Sequence, residues 1–146
     1  MKKLMIIAAV LLFVASAPAC ADNDKPIAVT ELPQIAQQFI KNHFPKEKVA
    51  YAKIERDFLE VQYEVVFTNS SKLEFNKNGE WKEVNCKYST VPKAIVPAQI
   101  VNYISQNYPD ANVVKLERNS REYEAKLSNG LELTFDTNFN LIDIDD

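Results

Sequence analysis

The 146-residue chain carries 17 basic and 20 acidic side chains, two cysteines, one histidine and only two glycines. That length suits one globular domain, and two glycines cannot build either common phosphate-cradling loop, which needs several. With Lys2 and Lys3 set aside as part of an export signal, the balance is 15 basic against 20 acidic, which gives no electrostatic basis for binding nucleic acid or an anionic membrane.

Residues 1–21 open with two lysines, continue through the apolar run of residues 4–14, and end Ala19-Cys20-Ala21. This is the three-part secretory pattern, with cleavage expected after Ala21 and a destination in the periplasm or outside the cell. The apolar run is shorter than the roughly 20 residues a membrane span requires. A competing reading makes Cys20 the acylated start of a lipoprotein. Ala17 argues against it, because the usual box has a larger aliphatic residue three places before the cysteine, although the acidic residues that follow would suit a surface-sorted lipoprotein. Cleavage after Ala21 leaves Cys86 as the one cysteine, so no internal disulfide is expected and the thiol reads as a packed core residue.

The mature chain opens with a polar lead-in, residues 22–31, expected to be loosely ordered. The segment LPQIAQQFIKNHFP (residues 32–45) then places Leu32, Ile35, Ala36, Phe39, Ile40 and Phe44 at helical spacing, with Pro33 in the first turn and Pro45 as the stop. Strands are predicted over residues 49–56, 59–68, 72–76 and 81–85. In the second of these, Leu59, Val61, Tyr63, Val65 and Phe67 form the dry face. Tight turns at Asn69-Ser70 and at residues 76–79 join them into an antiparallel meander.

After a linking stretch, residues 86–95, the pattern returns. VPAQIVNYISQNYP (residues 96–109) matches the first helix, and Pro33, Ile40, Glu55, Tyr63, Leu73 and Phe75 match Pro97, Ile104, Glu117, Tyr123, Leu133 and Phe135. The expected fold is therefore α+β. It is a tandem duplication of a helix plus a four-stranded meander, spanning about residues 30–86 and 94–146. The helices would pack on one face of a continuous sheet of about eight strands, all within a single domain of residues 22–146.

The paired LP…FP and VP…YP helices, together with LEFNKNGEW and LELTFDTNFNL, resemble the PepSY-like family of bacterial periplasmic proteins. The fold of that family is similar to that of the β-lactamase inhibitor protein. The resemblance implies a fold and an export route. It brings no catalytic residues and no defined target. The second copy departs from the first with Phe139 in place of Gly79 and Leu141 in place of Trp81.

Residues able to carry chemistry are few. His43 ends the first helix without a second histidine or a cysteine pair, and reads as a helix-end residue. Residues 76–80 and 136–140 alternate oxygen-bearing side chains as calcium loops do, but lack the closing glutamate, so neither metal nor cofactor is expected. The carboxylates fall on the wet face of the strands, where a shared solvated environment does not separate their pKa values for acid–base work. The expectation is a non-enzymatic module that contacts an exported or envelope protein through the open sheet face. Tyr51, Lys53, Glu60, Glu64, Lys72, Glu74 and Trp81 are its candidate contacts, with a core position as the alternative for Trp81, because alternation alone does not settle its side. The alternative is a carrier or sensor of a small ligand, which would need a concave apolar pocket.

Overall fold

Two ten-residue helices, α1 (Gln34–His43) and α2 (Ala98–Asn107), each follow a proline and end just before another. In the computed structural model, which describes residues 23–146, Pro33 and Pro97 sit one position ahead of the helices, and their carbonyls accept from the N–H groups of Gln37 and Val101. The export signal, its cleavage point and Cys20 lie outside the described residues. On α1 the buried line is Leu32, Ala36, Ile40 and Phe44, with Phe39 half-buried beside it. Ile35, expected in that line, is 57% exposed. A buried stripe at intervals of four leaves its i+3 neighbour on the shoulder.

The strands form one antiparallel sheet in sequence order: β1 (Lys25–Ile27), β2 (Val49–Arg56), β3 (Val61–Phe67), β4 (Lys72–Asn76), β5 (Trp81–Asn85), β6 (Val113–Arg118), β7 (Glu122–Leu127), β8 (Glu132–Asp136) and β9 (Leu141–Asp145). The sheet has nine strands where about eight were expected, because part of the lead-in is not loose. Lys25 and Ile27 pair with Ile54 and Ala52, which covers the outer edge of β2. Pro26 is tolerated there because an edge strand has one side with no ladder to feed.

Leu59 also departs from expectation. Asp57 and Glu60 exchange backbone hydrogen bonds of 2.9 and 3.4 Å, which makes Phe58 and Leu59 the two-residue tip of the β2–β3 hairpin. They are 96% and 90% exposed.

Cross-strand register lines up one apolar row through the whole sheet: Ile27, Ala52, Val65, Leu73, Val84, Leu116, Ala125, Leu133 and Ile144. All but the two end residues are buried, and each large member contributes roughly 1.5–3 kcal/mol by leaving water. The helix side chains meet this side of the sheet. Phe44 stacks on Phe67 at 5.2 Å, Phe39 meets Phe75 edge-on at 5.7 Å, and Tyr103 meets Phe135 edge-on at 5.5 Å. One cluster of buried residues runs through both halves.

Cys86 follows β5, where its N–H donates to the Val114 carbonyl at 2.7 Å. The side chain is buried, and burial pushes its thiol above the ordinary range despite hydrogen bonds with Ser71 and Ser89. The native protein is therefore expected to react with a thiol reagent at least tenfold more slowly than the urea-unfolded chain, and to run as a monomer on a non-reducing gel. Equal rates would mean that the thiol is open to solvent.

Candidate binding surface

Residues that alternate with the apolar row face the other way, and register makes them a grid. One line runs Lys53, Glu64, Glu74, Glu83, Glu117, Glu124, Thr134 and Asp143, each directly opposite the next. The line beside it runs Tyr51, Val66, Lys72, Asn85, Lys115, Lys126, Glu132 and Asp145. Five glutamates thus stand side by side across neighbouring strands. Like charges in that position repel.

The lysines of the second line relieve part of that repulsion. Lys72 lies 2.9 Å from Glu74, 3.5 Å from Glu83 and 4.0 Å from Glu64. Lys115 lies 3.2 Å from Glu117 and 4.0 Å from Glu83. At the β1 side, Lys53 lies 2.8 Å from Asp24, 2.7 Å from Glu55 and 3.7 Å from Glu64, and the Tyr51 hydroxyl donates to Glu64 at 3.2 Å. Hydrogen bonds to Asp24 and Glu55 raise the Lys53 pKa, so this ammonium stays charged.

Screening is incomplete in the middle of the row. Burial, a hydrogen bond with Glu117 and the nearby Glu74 charge raise the Glu83 pKa above the usual carboxylate range. Glu117 sits below its ordinary value: burial opposes this, but the bond from Glu83 and the charge of Lys115 outweigh it. Glu124 is raised by burial and by its neighbours Glu117 and Glu132. A hydrogen bond between two carboxyl groups needs a proton, and the raised pKa makes Glu83 the first of the pair to take one up as pH falls.

A raised folded-state pKa means that folding takes up a proton. The Glu83 contribution is therefore present below its unfolded pKa and lost as pH rises through the folded one, whereas that of Glu117 has the opposite sense. Glu83→Gln keeps a donor toward Glu117 without the charge. It is expected to stabilise the protein by up to about 1 kcal/mol at neutral pH, with the gain closing as pH falls and the native Glu83 protonates. Urea unfolding midpoints across that range check it. A variant less stable than the native protein at neutral pH would mean that the charge is structurally useful.

Of the sequence-expected contacts, Tyr51, Lys53, Glu64, Lys72 and Glu74 come together on this face. Glu60 stands at its rim, where Lys82 reaches it at 3.0 Å. Trp81 lies on the opposite side. It pairs with buried Phe75, its ring is 6.3 Å from that of Phe39, and the Arg118 guanidinium lies over it at 4.0 Å. Chain order and pairing so far describe a helix, four strands, a second helix and four strands, preceded by a short edge strand.

That arrangement has known counterparts. The sequence pattern of a family described as "Putative beta-lactamase-inhibitor-like, PepSY-like" matches residues 20–62 and 61–143. The chain belongs to the PepSY-like family. Two solved structures are similar over nearly their whole length. One is described as a putative periplasmic protein of the DUF2874 family from Bacteroides vulgatus, 60% identical, TM-score 0.84, covering 86% of this chain and 99% of that one. The other is described as a putative calcium-regulated periplasmic protein from Bacteroides thetaiotaomicron, 61% identical, TM-score 0.85, with the same two coverages. A third, a Bacteroides vulgatus periplasmic protein of unknown function, is 40% identical with TM-score 0.80, covering 84% of this chain and 99% of that one. No curated protein sequence matches.

In this PepSY-like chain the first residue of each turn ties the turn together. Asn76 Oδ1 accepts from the N–H groups of Asn78 and Glu80, and Asp136 Oδ1 accepts from those of Asn138 and Asn140. Among the described residues, no group of three or more His, Cys, Asp or Glu side chains is arranged to hold a metal ion, and no helix is long and apolar enough to cross a membrane. His43 lies beside Phe39, with ring centroids 4.7 Å apart. An apolar crevice under α2, lined by Val91, Val96, Val101, Ile104 and Val113 among others, has a volume of about 130 Å³.

Proposed function

We propose that this chain is an exported, non-enzymatic binding module of the periplasm that contacts a protein partner through the open sheet face. The observation that carries this reading is the unbroken row Glu64-Glu74-Glu83-Glu117-Glu124, left acidic after the lysines beside it are paired. Such a surface costs stability through like-charge repulsion, and a partner presenting lysine or arginine side chains would relieve that cost on docking. The periplasmic descriptions of the 60% and 61% identical relatives support the compartment. The two helices act as one covering layer over the sheet, and the halves are copies of one unit. Matching bulges support that duplication: those at Val49/Tyr51 and Glu74/Phe75 return at Val113/Lys115 and Thr134/Phe135.

The test is capture from periplasmic extract by the immobilised mature protein, followed by cross-linking of the captured partner. A stoichiometric partner is expected whose binding weakens steeply with salt and weakens again when Glu74 and Glu124 are both changed to Gln. A partner indifferent to both changes would overturn the reading. A small-ligand carrier has less support, because the apolar crevice is below the roughly 300–1,000 Å³ of ordinary ligand pockets and the groove of about 510 Å³ beside Trp81 is lined mostly by polar and charged side chains. A co-purified small molecule in native mass spectrometry would favour it instead.

A further inference from the structure

The seam between the halves holds a second surface of different chemistry. Where β5 of the first half meets β6 of the second, Trp81, Arg118 and Tyr123 line a groove of about 510 Å³, with Lys82 and the carboxylates Glu60 and Glu80 at its edge. All three large side chains are partly buried and lie on the helix side of the sheet, between Phe75 beneath Phe39 of α1 and Phe135 beneath Tyr103 of α2. Trp, Tyr and Arg are the residue types that dominate protein-recognition hot spots.

Arg118 is held ready without a paired carboxylate, because the two acids of the groove are engaged elsewhere, Glu60 by Lys82 at 3.0 Å and Glu80 by the Asn76 amide at 2.8 Å. Its Nε donates to the Trp81 carbonyl at 2.8 Å while the guanidinium covers the indole ring at 4.0 Å. Four lysines are also partly buried, namely Lys53, Lys72, Lys82 and Lys115, and each lies within 4.0 Å of a carboxylate. Among the described residues Arg118 has no carboxylate that close, although the chain has an excess of acid. A planar, pre-oriented guanidinium with both Nη groups available is suited to gripping a carboxylate in two parallel hydrogen bonds. Glu60, which also lines the groove, follows the exposed Phe58-Leu59 tip in the chain, so apolar area adjoins the cation at this end of the sheet.

We infer that this groove receives an acidic side chain, flanked by an aromatic residue, from an extended segment of a partner protein. The carboxylate would pair with Arg118, and the aromatic neighbour would pack on Trp81 and Tyr123. The site exists only where the halves join. Arg56, the counterpart of Arg118, lies on β2 beside the short β1 (Lys25-Pro26-Ile27), which has no aromatic residue. The aromatic lining of the groove lies on the helix side, opposite the glutamate row, while Lys82, Arg118 and Asn119 at the sheet end border both surfaces.

Trp81 is the sole tryptophan, so its fluorescence reports on the groove directly. A displayed library of random ten-residue peptides would be selected on the immobilised mature protein, and the enriched peptides resynthesised with blocked ends. The expected peptides carry Asp or Glu within two residues of an aromatic and shift Trp81 emission saturably. They lose at least tenfold in affinity when that acid becomes its amide, and at least tenfold against Arg118→Gln. Arg121→Gln, an exposed cation on the neighbouring turn, should leave affinity unchanged. Melting curves check that Arg118→Gln is folded, and the peptide's own acid-to-amide change needs no protein variant at all. No enrichment above background, enrichment without an acid, or binding that survives loss of the peptide's carboxylate overturns the proposal.

Discussion

Phe75→Ala and Phe135→Ala, changes in opposite halves of the chain, are each expected to lower the midpoint of the same single unfolding transition. Both rings are fully buried at equivalent places, Phe75 under Phe39 of α1 and Phe135 under Tyr103 of α2. Truncating a buried phenylalanine removes its transfer free energy and leaves a cavity that neighbours fill only in part, at a cost of about 3–5 kcal/mol. A chain of this size would lose more than about 10 °C in Tm. The decisive result is the shape of the curve. If the apolar row that crosses from Leu73 through Val84 and Leu116 to Leu133 couples the halves, each variant shifts one cooperative transition, and tryptophan fluorescence and circular dichroism give coincident curves. Two small independent domains would respond differently. Phe135→Ala would then leave Trp81 fluorescence at its native midpoint while part of the dichroism melted early. That outcome would refute the one-domain account, since the fluorophore sits in the first half.

How much of this was legible in the sequence depended on whether a segment was long enough to show a period. Strands β2, β4 and β5 were read at their observed ends, because alternation over five or more residues with turn formers at each side leaves little freedom. Strand β1 was missed: three residues with a central proline have no period, and its stability comes from the waiting edge of β2. Leu59 was misread because alternation continues arithmetically into a hairpin tip, whereas the Asp57–Glu60 bonds end the strand. The side of Trp81 was left open by the sequence, and the pairing shows why. Simple alternation puts it on the same face as Glu83, but the pairing slips between Glu74 and Phe75, so one extra residue on β5 turns Trp81 to the helix side. The glutamate row and the Arg118 groove needed pairing across the seam of the halves, which local patterning does not carry. Arg118 had one signal available, its match to Arg56, but nothing in the sequence put a tryptophan beside one copy and not the other.

Gly79→Ala should be among the costliest single-methyl additions in the chain, at about 2–4 kcal/mol. Two effects add. Gly79 has φ +88°, and a Cβ in the left-handed region costs about 1 kcal/mol. The turn also presses on the start of α1: an added Cβ would stand 2.7 Å from Pro33 Cβ and 3.1 Å from the Ala36 backbone nitrogen. Neither of those neighbours is the far end of a flexible side chain, so the helix must move, and overpacking of that kind costs roughly 1–3 kcal/mol more. Gly130 supplies the control. It has φ +93° with nothing within 4 Å of an added Cβ, so Gly130→Ala should cost only the backbone term. The two halves divide these positions in opposite ways. Ser70 stands where the second half has Gly130, and Phe139 where the first has Gly79, with positive φ at both, 69° and 65°. Ser70→Gly should accordingly stabilise the protein by up to about 1 kcal/mol, whereas Phe139→Gly trades backbone relief against the ring's packing on Tyr123 at 5.4 Å. Urea midpoints for the first three variants order the effects. Equal losses for Gly79→Ala and Gly130→Ala would mean that the β4–β5 turn does not bear on α1, and that the helix is positioned by its buried face alone.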